Sequence, residues 1–60
     1  MNLSNEFLQD FLNKNGGNYK VITFREIKNS IDIVYYTEGY SHNATLNVSL
    51  FELIVFIYSK

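Results

Sequence analysis

Sixty residues with five basic and six acidic side chains, 47% hydrophobic and without cysteine or proline, leave room for one domain and one small core. Disulfides are excluded, and the single His42 cannot furnish the nitrogen and sulfur ligands of a structural zinc, so neither metal nor cofactor is expected. A formal charge of −1 with dispersed lysines and arginines disfavours nucleic acid as a partner. No apolar run is long enough to span a bilayer, and the lack of cysteine fits a reducing, cytoplasmic setting.

Ser4 is placed to cap a helix beginning at Asn5, with Leu3 before it to staple onto Leu8. Phe7, Leu8, Phe11 and Leu12 form one apolar stripe. Glu6, Asp10, Asn13 and Lys14 lie on the other side, Asp10 and Lys14 four apart in the stabilising order. Asn15-Gly16-Gly17 predicts the helix stop, because glycine accepts the left-handed backbone that helix ends often require.

Residues 19–27 and 31–37 are β-branched and aromatic, which predicts an antiparallel hairpin around Lys28-Asn29-Ser30. A two-residue Asn29-Ser30 turn, or a four-residue loop, puts Ile22 and Phe24 on the face of Ile31, Ile33 and Tyr35. A three-residue turn would set Glu26 opposite Asp32 instead. Since a one-residue slip exchanges the faces of a strand, the register that groups the apolar side chains is preferred. Thr23, Arg25, Asp32, Val34 and Tyr36 are then outside.

After a loop at 38–43, Ala44, Leu46 and Val48 alternate with Thr45 and Asn47, the pattern of a short third strand. Ser49 and Glu52 match a capping box, and Val48 can staple onto Leu53, so a second helix is expected through Tyr58. The β-forming character of residues 53–58 makes a fourth strand the competing assignment. The expected fold is a small α+β domain of order α-β-β-β-α, a three-stranded antiparallel sheet with two helices packed on one face.

Catalytic motifs are not evident. Asn15-Gly16-Gly17-Asn18 runs into a strand rather than a phosphate-binding helix, Glu6 and Asp10 read as a solvated helix face, and Glu52 reads as a cap. Tyr36, Tyr40 and His42 belong to the most tyrosine-rich segment, and tyrosine supplies large amphipathic contact area at low entropic cost; these three are the candidate partner-binding residues. If Leu50, Leu53, Ile54 and Ile57 face the sheet, Val55 and Phe56 point away, and they become the candidate self-association residues of a homodimer. In size and α/β order the chain is similar to many small phage-encoded inhibitors and bacterial regulatory proteins, although no motif carries that resemblance. The expected function is a non-catalytic module that binds a larger protein as inhibitor, adaptor or regulator. The alternative is a dimeric nucleic-acid-associated regulator using Lys20, Arg25 and Lys28.

Overall fold

The computed structural model describes residues 3–14 and 16–59, in which the chain runs α1 (Asn5–Asn13), β1 (Tyr19–Ile27), β2 (Ser30–Thr37), β3 (Asn43–Ser49) and α2 (Leu50–Tyr58). Ser4 caps α1, its Oγ accepting the Phe7 N–H at 3.1 Å. The expected stop is met in part: Asn15 lies outside the described residues, Lys14 is the C-cap, and Gly16 and Gly17 follow with positive φ. At Gly17 (φ 94°) a side chain would be strained by the backbone, and its Cβ would stand a tight 3.0 Å from the Tyr19 ring, so glycine is favoured there.

The second helix is α2, not a fourth strand. Ser49 Oγ accepts the Glu52 N–H at 3.1 Å, while the Glu52 carboxylate returns to the Ser49 hydroxyl at 3.5 Å. This satisfies an otherwise orphaned amide where β3 ends, and the helical turn brings Leu53 and Phe56 onto the core.

The sheet order is β1-β2-β3, antiparallel throughout, with β2 central and both edges formed by its neighbours. The hairpin turns at Lys28-Asn29, closing Ile27 against Ser30, one residue earlier than the Asn29-Ser30 turn. Because the register differs by two, the faces are preserved, and Phe24 sits opposite Ile33. The turn places Lys28 at φ 49°, where a side chain costs about 1–2 kcal/mol.

A bulge between Val21 and Thr23 overturns the expectation that Ile22 belongs to the core. Ile22 is the extra residue and is exposed, whereas Val21 pairs with Tyr35 and packs against the core. Without the bulge, Lys20 would share the inner face with Phe24. One inserted residue exchanges Lys20 and Ile22 for Tyr19 and Val21 on the inner face, so Lys20 is turned outward. Tyr19 then meets Tyr35 edge-on at 5.3 Å.

Leu8, Phe11 and Leu12 of α1, Ile31 and Ile33 of β2, Val48 of β3, and Leu53 and Phe56 of α2 form one core on the helix-bearing face. Phe56 was expected to point away from it and does not: it is only 7% exposed. Its ring lies 5.3 Å from Phe11, edge to face, and 5.9 Å from Phe7. The Lys14 ammonium covers Phe11 at 4.5 Å and Phe56 at 5.4 Å, a cation–π contact that seals the cluster. α2 is therefore rotated so that Leu53 and Phe56 face inward, leaving Ile54 and Ile57 exposed.

Phe56→Ala should cost about 3–5 kcal/mol in urea melts, and Val55→Ala less than about 1 kcal/mol. Lys28→Gly, which relieves the left-handed strain, should raise the melting temperature, and Lys28→Ile should lower it, because a β-branched side chain is disfavoured at positive φ.

Candidate protein-binding surfaces

Helix α1 places a row of carboxamides along one flank. Asn5, Gln9 and Asn13, spaced four apart, lie on one line of the helix, between the buried Leu8 and Leu12 and the exposed Glu6 and Asp10. Gln9 Nε2 donates to the Tyr19 carbonyl at 2.7 Å and to Asn13 Oδ1 at 3.0 Å, while Gln9 Oε1 accepts the Val21 N–H at 2.9 Å. Asn5 Nδ2 donates to the Ile22 carbonyl at 3.1 Å.

The backbone partners of Gln9, at Tyr19 and Val21, are groups that face away from β2. Glu38 N–H donates to Asn18 O at 3.1 Å, which makes Asn18 and Glu38 a bonded pair. By the alternation of antiparallel ladders, Lys20 also bonds towards β2, while Tyr19 and Val21 present their groups outward. The Gln9 amide thus does what a neighbouring strand would do, and the β1 edge is closed at its bulge.

The opposite edge differs. Leu50 N–H donates to Asn29 O at 2.9 Å, so the same alternation makes Val48, Leu46 and Ala44 bond towards β2 and turns the N–H and C=O of Thr45 and Asn47 outward. Among the described residues no hydrogen bond reaches those outward groups. The pairing of β3 with β2 is regular, without a bulge.

On α2, Phe51 is 73% exposed, Val55 49% and Tyr58 84%. Positions i, i+4 and i+7 fall on one helix face, opposite the buried Leu53 and Phe56. Of the two self-association candidates, Val55 therefore belongs to an exposed apolar stripe and Phe56 to the core. The companions of Val55 are Phe51 and Tyr58.

Tyr36, exposed, lies on the outer face of β2, opposite Lys20 and Asn43. Tyr40 is 74% exposed in the turn that follows, where its N–H donates to Thr37 O at 3.0 Å and Gly39 adopts φ 92°. His42, also exposed, closes the same loop. The three gather at the β2–β3 end of the sheet, whereas the α2 stripe is in the other layer. Lys20 lies 3.9 Å from the Glu38 carboxylate and Arg25 3.9 Å from that of Asp32, which also accepts from Asn47 Nδ2 at 2.7 Å. A groove of about 420 Å³ beside them opens between Thr23, Arg25, Asp32, Val34 and Thr45.

Among the described residues, no three His, Asp or Glu side chains gather as a metal site, and no helix is long and apolar enough to cross a membrane. Compared with known protein families, curated proteins and solved structures, the chain matches none.

The row of Asn5, Gln9 and Asn13 was the missed signal: uncharged amides between a charged and an apolar face are suited to pairing with backbone. Gln9→Glu removes the donor and sets a carboxylate against the Tyr19 carbonyl. It should cost about 1–3 kcal/mol and speed amide exchange at Val21, as read by urea melts and hydrogen exchange.

Proposed function

We propose that this protein is a small non-catalytic binding module that engages a larger protein through the α2 face formed by Phe51, Val55 and Tyr58, and regulates it. The observation that carries the reading is the exposure of two whole aromatic side chains beside Val55 on one helix face of so small a domain. Large apolar side chains at i, i+4 and i+7 are the anchors by which amphipathic helices enter apolar grooves. Between Asn43 and Ser59 the one charged side chain is Glu52, so the occupant is a neutral, apolar groove rather than a charged surface. The histidine and the carboxylates of Glu6, Glu26, Glu38 and Glu52 are exposed and spread over different elements, which supports binding over catalysis. Lys20 and Arg25 stand near carboxylates, which supports a protein partner over nucleic acid.

The exposure of Tyr40 favours a second reading, in which the loop with Tyr36 and His42 makes the contact. Capture of the partner from a host extract by tagged protein separates them. The double variant Phe51→Ser/Tyr58→Ser should lose the captured partner and keep its melting temperature, and Tyr40→Ala should retain both. Loss of the partner with Tyr40→Ala alone would move the site to the loop.

A further inference from the structure

We infer that β3 pairs with β3 of a second copy of this chain, joining two sheets into one six-stranded antiparallel sheet. An exposed strand edge with outward backbone groups is a template for another strand, and monomeric proteins blunt such edges with charge, proline, bulges or a covering element. The β1 edge carries three of these devices: its bulge, the Asn5 and Gln9 amides, and the charged residues Lys20, Arg25 and Glu26. The β3 edge, Asn43–Ser49, has no charged residue, no proline and no bulge.

The sequence of β3 selects a second copy as the occupant because it is complementary to itself. With Leu46 on the two-fold axis, Thr45 faces Asn47, Ala44 faces Val48 and Asn43 faces Ser49, each from the other copy. All seven residues of the strand are then paired. Apolar side chains meet on the helix-bearing face and polar ones on the outer face, and no like charges are opposed. Thr45 and Asn47, whose N–H and C=O point outward, fall in the positions that exchange both backbone bonds. Leu46, 39% exposed on the edge, gains its own counterpart as neighbour. The axis runs perpendicular to the sheet, so both α2 helices remain on one side. The pairing is independent of the α2 stripe.

Thr45→Pro removes an N–H that the single chain does not use, and edge strands accept proline at such positions. Leu46→Lys leaves the backbone intact and opposes two ammonium groups at the axis. Sedimentation across a dilution series should find a wild-type dimer, and each variant should raise its dissociation constant by about 10²-fold. Ile27→Lys, on the outer face, should leave it unchanged. Thr45 and Asn47 amides should become protected from exchange as concentration rises. If circular dichroism finds Thr45→Pro unfolded, Leu46→Lys decides by the same reading. A wild-type monomer at high micromolar concentration, or a dimer equally tight in a folded Thr45→Pro and in Leu46→Lys, overturns the proposal. So does a wild-type monomer that loses its captured partner on Thr45→Pro, since the edge then belongs to a foreign strand. Phe51→Ser/Tyr58→Ser should stay dimeric, so failure at α2 and failure at β3 are separately visible.

Discussion

One carboxamide, that of Gln9, fixes how the first helix sits on the sheet. Its oxygen and nitrogen bond the Val21 N–H and the Tyr19 carbonyl, two groups that would otherwise face solvent along an open edge. An amide can do this because it carries donor and acceptor at the spacing of a peptide group. The contact orients α1 so that Leu8, Phe11 and Leu12 fall on the sheet, and it holds the bulge that keeps Lys20 out of the core. It also makes the sheet asymmetric, with one edge covered and the other open.

The flank of α1 opposite Gln9 carries Phe7, Phe11 and Lys14, and there the second helix is locked. The Phe56 ring lies within 6 Å of both Phe7 and Phe11, edge to face with Phe11, and the Lys14 ammonium covers Phe11 and Phe56. Geometry of this kind contributes beyond area burial, by about 0.5–1.5 kcal/mol per aromatic pair. In a 60-residue chain whose total margin is a few kcal/mol, that is enough to set the rotation of α2. Drawing Phe56 inward has a geometric consequence: Phe51, Val55 and Tyr58 are turned away from the sheet. The core and the proposed binding face are two results of one helix rotation.

The open β3 edge and the α2 stripe are continuous in sequence, separated by the Ser49 cap. Among the described residues Glu52 is the one charge from Asn43 onward, whereas the other charges lie on α1 and its C-cap, β1, the β1–β2 turn, β2 and the loop after it. Such a division puts the two proposed association surfaces where desolvation costs least.

Element types and their order are legible in the chain because caps and periodicities are local: Ser4 and Ser49 act within three residues, and the alternation of 44–48 depends on neighbouring positions alone. So is the inner set of Phe24, Ile31 and Ile33, since any turn of even length gives the same faces. Val55 was legible as exposed, and Tyr36, Tyr40 and His42 as surface residues at one end of the sheet. The tertiary structure decided the rest. Whether Ile22 or Val21 turns inward depends on a bulge held by a helix ten or more residues away, and whether Phe56 is core or surface depends on aromatic rings supplied by α1. An all-apolar helix has no periodicity that marks its inner side, so only the partner it packs against can choose the rotation.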